Sequence, residues 1–417
     1  MLLRNLLVGN PEEIFLYLER RVNSKFPLSG PYTGVPACYR ADLGAESYPL
    51  PFVNLEPGKV ESFECLPDER VKSEIVSRND VKFFVHPLMV PNYLDKELYD
   101  LLGFCGNFRV SSTSSTRTVM TRDKEKNFMI KFNLEKRLGE RTRKLKRRQV
   151  EHSNKIMQEL STINLPEDFA YMPESFGVLY AKNGSEIGMI IREFQAMPHV
   201  EEKRFVLPLF SLYSLDKNNR EHDPLLAQIV ENASGKEYEF FHSRVLRPLI
   251  STWAYFVSER GISPDIHAQN CLLEINEEGI PTRVVYRDLQ EFFINSQIRE
   301  QKNLHMNFTR NIIGSSDSTP KRVNGELVKD KRECRKIGYS IRYDYTIGRI
   351  LDYFAIVLSK FPSCPEERII DGAKAVFKES FNGLEKEIFP KKAYYLKPEQ
   401  KNMEEEFELE EVEPKYR

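Results

Sequence analysis

The chain lacks an excess of either charge: 61 Lys and Arg stand against 62 Asp and Glu, for a net charge of -1. This balance gives no bulk electrostatic reason to expect a nucleic acid or a membrane surface as partner, so a charged substrate has to be met locally. No apolar run approaches the roughly 18 to 20 residues of a membrane span. The start, "MLLRNLLVGNPEEIFLYLERR", is interrupted by Arg4, Glu12 and Glu13 and reads as helix rather than signal peptide. The six cysteines, Cys38, Cys65, Cys105, Cys271, Cys334 and Cys364, form no CxxC pair and have no histidine at zinc spacing. Reduced thiols are therefore expected, rather than a disulfide frame or a zinc site. Three nucleotide or metal signatures are also missing: GxxxxGK[ST], a GxGxxG after a strand, and HExxH. If the chain handles a nucleotide, side chains must do the work. A soluble, cytoplasmic protein is the expectation.

What is present is a chain of 417 residues, 41% hydrophobic, enough for one large or two to three ordinary domains. Residues 1 to 80 carry frequent Pro and Gly, as in "FPLSGPYTGVP", and predict loops and short strands. From Phe83 to Lys131 the pieces "KFFVHPLMVP", "FRVSSTSSTRTVMT" and "KNFMIKFNL" read as strands of one antiparallel sheet. Arg141 to Leu160, basic in its first turns, reads as one long helix. "FGVLYAKNGSEIGMIIREF" reads as a hairpin turning at Asn183-Gly184. Tyr238 to Arg260 keeps apolar residues at helical spacing and ends at Gly261. Two strands follow, "NCLLEIN" and "TRVVYRDLQEFFIN". Residues 299 to 340 are polar and Ser-rich and read as a mobile insertion. Helices near 343 to 360 and 365 to 387 precede an acidic end, 398 to 417, expected to be loosely ordered.

Chemistry concentrates in a few places. "SSTSSTRT", Ser111 to Thr118, offers seven hydroxyls and a guanidinium. Such a run is either a solvated edge strand or an anion cradle, in which hydroxyls give single hydrogen bonds and Arg117 a charge-assisted, bidentate one. Ser115 and Arg117 share one face of a strand by alternation. Lys131 is a charge among apolar neighbours in "NFMIKFNL": it points out from an edge, or it is buried for a bound anion. The basic run around Arg143 is a solvated face or an anion contact. "SPDIHAQNCLLEI", Ser263 to Ile275, places Asp265, His267, Gln269 and Asn270 before an apolar strand, and one strand-turn-strand unit later come Arg287 and Asp288. Capping explains one of these residues. Together they suit a Mg2+-phosphate site built from hard oxygen ligands. His86, in "VHP", reads as a turn or core histidine.

The succession Ser115-x-Arg117-Thr118, Lys131, Arg143, Asp265-x-His267-x-Gln269-Asn270 and Arg287-Asp288 resembles the siderophore synthetases that work independently of nonribosomal peptide synthetases (NIS synthetases), the aerobactin-synthetase-like IucA/IucC family. "FFVHPLMVP" is similar to that family's HPWQ segment, "MIIRE" to its RE strand and "PKKAYYL" to its terminal Lys-Ala segment. The resemblance implies an α+β fold of palm, fingers and thumb: a shortened thumb-like region at 1-80, a fingers-like ATP-binding region at 81-235, a palm-like catalytic region with a helical C-terminal part at 236-397, and the tail. It implies an enzyme that adenylates a carboxylate such as citrate with ATP and Mg2+ and passes the acyl group to an amine or hydroxyl. Ser115, Arg117, Thr118, Lys131, Arg143 and Asn270 would bind ATP. His267, Arg143 and Lys392 would bind the acid, with His267, Arg143 and Lys131 catalytic, and Asp265, Gln269 and Asp288 would hold the metal. Partners would be small-molecule acids and amines, with a homodimer as the possible assembly.

The sequence departs from the family pattern at its N-terminal HPxHPxxK motif, of which Lys25, Pro27 and Gly34 are the only echoes. It departs again at Gly139, where the family has Thr, and at Asp265, where it has Glu. Two further readings stay open: a kinase-like phosphotransferase, in which a His/Asn strand is followed by an Asp strand, and a non-catalytic relative that binds a small acid or a partner.

Overall fold

In the computed structural model the described residues are 1-23, 35-90, 108-115, 117-122, 124-138, 141-182, 185-306, 308, 320-401 and 407-417. Lys25, Pro27, Gly34, Cys105, Gly139 and the Asn183-Gly184 turn lie outside them. Two sheets position the site. The larger is antiparallel, with spatial order Tyr48–Pro49, Arg109–Ser112, Thr118–Thr121, Phe128–Phe132, Ser185–Glu193, Phe176–Lys182 and Val60–Glu64. The smaller has the order Phe169–Tyr171, Pro281–Tyr286, Cys271–Ile275 and Phe205–Pro208, with its first pair parallel and the rest antiparallel.

Alternation decides where each face goes. Phe128, Ile130 and Phe132 point into a core shared with Phe52, Phe83 and Phe84, whereas Met120 and Met129 point the other way, onto Val206, Leu272 and Val285 of the smaller sheet. Helix Pro11–Arg21 inserts Phe15 and Leu16 into this same joint. Its start is fixed by Asn10, whose side chain accepts from Glu12 N and Glu13 N, with Pro11 as first helical residue. The helical half gathers around Trp253 and ends in helices Gly348–Leu358 and Glu366–Phe381. The result is α+β, as the resemblance implies.

Several local expectations need correction. Among the described residues Val81–Phe84 pairs with Phe52–Leu55, with one further bridge from Val81 to Val76, and stays out of the larger sheet. The helix expected from Arg141 begins at Arg147, because Arg141–Arg143 pairs as a strand with Leu134–Leu138, Asn133 Oδ1 accepts from Leu145 N, and Gln149 Oε1 accepts from Lys146 N to start the helix there. Within 299 to 340, the segments Lys321–Val323 and Glu326–Val328 form a hairpin and Lys331–Ser340 a helix. From Phe407 onward the acidic end is not loose: Phe407–Val412 pairs with both Ala393–Lys401 and Lys321–Val323. Leu409 and Tyr416 are buried there, and Arg417 holds Asp344 at 2.9 Å.

His86 is a core histidine, fully buried between Tyr39 and Phe132, its Nδ1 accepting from Leu88 N. Burial pulls its pKa down to about 3, and that of His152 to about 4. Both rings bind a proton more readily in the unfolded chain, near 6.5, than in the fold. Stability is therefore full above pH 6.5 and falls as the pH drops toward 4, by up to about 1.4 kcal/mol per unit for each ring. His86→Phe should remove about half of the two histidines' share of that slope, as read by urea unfolding between pH 7 and 4.5. An unchanged slope would show that His86 does not titrate between the two states.

Candidate active site

The face of the larger sheet that carries Met120 and Met129 also carries Lys131 and Arg192, since Lys131 stands opposite Thr118 and Ile190, and Arg192 opposite Met129. Both cations are buried, at 1% and 2% exposure. They meet Asp288 where the smaller sheet ends. Lys131 Nζ lies 2.7 Å from one Asp288 carboxylate oxygen, and Arg192 donates to the same oxygen. Arg192 also holds Glu174 through Nε at 3.1 Å and Nη2 at 2.5 Å, and Ser153 donates to the other Glu174 oxygen.

Burial pulls the Lys131 pKa down to about 8 against the pull of Asp288, with Arg117 and Arg192 adding repulsion. Burial pushes the Asp288 carboxyl up, but Lys131 and Arg192 outweigh it and hold the group well below its usual 3.8. A fifth of the Asp288 side chain still reaches solvent. Its backbone is left-handed, φ 69° and ψ 53°, a conformation Asp tolerates better than most residues and one that turns the chain abruptly after strand Pro281–Tyr286.

The hydroxyl-rich turn lies beside this cluster. Thr118 N donates to Ser115 O at 3.0 Å, Thr113 Oγ1 to Thr118 O at 2.8 Å, and Phe132 N to Arg117 O at 2.9 Å. Arg117 is 8% exposed; it donates to Lys144 O at 3.2 Å and lies 3.9 Å from Glu291. The turn is therefore built against the strand that carries Lys131, and is not a free edge.

The 265-270 segment folds on itself before strand Cys271–Ile275. Asn270 N and Cys271 N donate to His267 O, and Asn270 Nδ2 donates to Asp265 O at 3.3 Å. Gln269 N donates to His267 Nδ1 at 3.3 Å, which assigns the ring proton to Nε2. Gln269 Nε2 donates to Ser114 Oγ at 2.9 Å, so this loop and the hydroxyl turn touch directly.

Among the described residues no three His, Cys, Asp or Glu side chains group to hold a metal. The donor set expected for Mg2+, the carboxylates of Asp265 and Asp288 with the amide of Gln269, is of the hard oxygen kind that this ion would take together with phosphate oxygens.

A family model described as "Ferric iron reductase FhuF-like transporter" matches residues 240–393, a span that includes His267, Asp288 and Lys392. No helix among the described residues is long and apolar enough to cross a membrane. No curated protein matches the sequence. Solved structures do match. ATP-bound aerobactin synthetase IucA from a hypervirulent pathotype of Klebsiella pneumoniae is similar with TM-score 0.65 and 14% identity, over 86% of this chain and 67% of that one. The petrobactin biosynthesis protein AsbB from Bacillus anthracis str. Sterne has TM-score 0.68 and 16% identity, over 96% and 75%. Aerobactin synthetase IucC, from the same Klebsiella pathotype, has 0.67 and 13%, over 97% and 76%.

The chain is NIS-synthetase-like in fold.

This NIS-synthetase-like chain gathers Arg117, Thr118, Lys131 and Asp288 into one cluster and ties Gln269 to it through Ser114. Arg143 closes strand Arg141–Arg143, and its side chain lies outside the described ones. Lys392 is not brought there. It is half-exposed, pairs with Glu413, and lines a separate cavity of about 680 Å³ with Lys336, Tyr394 and Arg417. Glu174 and Arg192 belong to the site, and Glu19 braces it from behind, although the sequence singles out none of them by role. Arg192 carries a signal close to the one that marked Lys131, a charge directly after an apolar run in a strand, in "GMIIRE".

Proposed function

We propose that the chain is an ATP-dependent ligase that adenylates a carboxylate, citrate or a related di- or tricarboxylic acid, and condenses it with an amine or hydroxyl in siderophore-type biosynthesis. The observation that carries this reading is the buried Lys131-Asp288-Arg192 cluster beside Arg117 and the hydroxyl turn, in a fold shared with siderophore synthetases. Attack of a carboxylate oxygen on the α-phosphorus brings two anions together, and breaks the bond to pyrophosphate. Lys131 and Arg117 offset that repulsion and hold the phosphates in line. Ser115 and Thr118 give the weaker, orienting hydrogen bonds. Asp265, Gln269 and Asp288 would hold Mg2+, which would supply further neutralisation of the phosphate charge. The amine then attacks the acyl carbon, the bond to AMP breaks, and amide, AMP and a proton leave. His267, with its proton on Nε2, is the donor suited to the oxygen that gains charge in this step.

The test is product analysis with ATP, Mg2+ and a panel of di- and tricarboxylic acids, trapping acyl groups with hydroxylamine. AMP and pyrophosphate that appear only with acid support the ligase. ADP would mark a phosphotransferase instead, and an absence of ATP-Mg2+ binding in calorimetry would mark a non-catalytic relative that binds an acid or a partner. His267→Ala should lower acid-dependent pyrophosphate release by about 10²-fold while leaving the unfolding midpoint in place. Unchanged turnover would remove His267 from the site.

A further inference from the structure

Glu19 is a carboxylate with no exposed surface, on the face of helix Pro11–Arg21 that also carries Phe15, one turn earlier. Its two oxygens serve different segments. Oε2 accepts from Ser114 N at 2.8 Å, in the hydroxyl turn, and Oε1 accepts from Arg287 Nη2 at 2.7 Å, next to Asp288. Arg287 in turn donates through Nε to Gln269 O at 2.8 Å, and its own N–H donates to Asn270 O at 3.0 Å. Gln269 Nε2 closes the ring on Ser114 Oγ at 2.9 Å. The guanidinium also lies over the Phe15 ring, 5.7 Å from its centre.

A buried carboxylate is costly unless every contact is in place. Packing alone would be met by an apolar residue at this position, as at Phe15 and Leu16. The chain instead holds a charge where two polar loops converge from different sheets.

We propose that Glu19 is the positioning residue that sets the spacing between the hydroxyl turn and the 267-270 loop, acting through Ser114 N on one side and Arg287 on the other. The inference rests on the adenylation reading for what the two loops hold, but not for their being tied together. Helix Pro11–Arg21 thus acts on the site from outside it: Glu19 reaches the groups that aim the ligands, Ser114 N and Arg287. Displacing this helix would move both loops at once.

Two measurements on the full chain test this: amide hydrogen exchange at Ser114, Ser115, Gln269 and Asn270 in the ligand-free protein, and calorimetric titration with ATP-Mg2+. Glu19→Gln keeps the shape and one acceptor but removes the charge facing Arg287. It should speed exchange at all four amides by about tenfold or more while strand Phe128–Phe132 keeps its protection, and should weaken ATP binding by about tenfold. If Glu19→Gln fails to fold because the guanidinium is stranded, Glu19→Gln with Arg287→Met removes both charges and should show the same paired loosening. Unchanged exchange, or a uniform rise across the chain, would overturn the inference by reducing Glu19 to an ion pair of the fold. Unchanged ATP affinity in a variant with loosened loops would overturn its role in the site and leave the ligase reading standing. A wild-type protein that binds no ATP would sink the ligase reading, and the exchange result would then decide the tie alone.

Discussion

Lys131→Met should lower acid-dependent pyrophosphate release by about 10³-fold or more, the upper end of what one preorganised donor contributes at a site of developing charge. The same substitution should change unfolding stability by less than about 2 kcal/mol, which is the informative half of the prediction. Lys131 is 1% exposed and surrounded on its strand by Met129, Ile130 and Phe132, so the methionine occupies apolar space of similar shape. Asp288 keeps Arg192 as a counter-charge after the change. The buried ammonium itself is under strain, its pKa already pulled down to about 8 by burial. A residue held for the fold would be missed on removal; a residue held for a ligand is missed only when the ligand is present. Urea unfolding beside a pyrophosphate assay separates the two. A large stability loss with normal turnover in the folded fraction would reverse the assignment.

How far the sequence discloses this site depends on how local each signal is. Lys131 and Asp288 are legible because each breaks a local pattern: one is a charge inside an apolar strand, the other an acid just past the end of one. Helix and strand positions around them follow from alternation and from Gly261, whose left-handed φ of 58° ends helix Arg247–Arg260 where expected. The misreadings have a common physical origin in contacts that are distant along the chain. The basic run at Arg141 to Arg148 has helical composition, yet its first residues are claimed by a hairpin partner and by the Asn133 side chain.

The acidic end misleads in the same way. Its composition opposes burial, but Leu409 packs within a sheet whose other strands begin at Lys321, Glu326 and Ala393, Tyr416 donates to Asp352 at 2.7 Å, and Arg417 neutralises the buried Asp344. Glu19 is the extreme case: its partner Arg287 is 268 positions away, and nothing near Glu19 in the sequence separates it from a surface glutamate. Local chemistry marks the groups that would touch the substrates, while the groups that aim them become visible only in three dimensions.

Asp288→Asn should be worse for the protein than the loss of either of its cations. Lys131, Arg192 and Arg117 surround this carboxylate, and among the described residues the other buried counter-charge acting on Lys131 and Arg192 is Glu174, already engaged by Arg192. Removing one partner of a buried ion pair costs about 3 to 5 kcal/mol because the other charge stays behind, and about 3 kcal/mol is the expected loss here. Activity should vanish with it, because on the proposed reading Asp288 would also be a carboxylate ligand of Mg2+. The double variant Lys131→Met with Asp288→Asn separates these effects. Most of the stability should return, because the stranded ammonium is gone, but none of the activity. A double variant as unstable as Asp288→Asn alone would show that the ion pair is not the source of the cost. Acid cannot imitate this substitution at mild pH. The Asp288 carboxyl is held well below 3.8, so its contribution to stability is fully present above that value and is lost only as the pH falls through its lower folded-state pKa. Any weakening between pH 6.5 and 4 therefore belongs to groups such as His86 and His152, and should persist unchanged in the double variant.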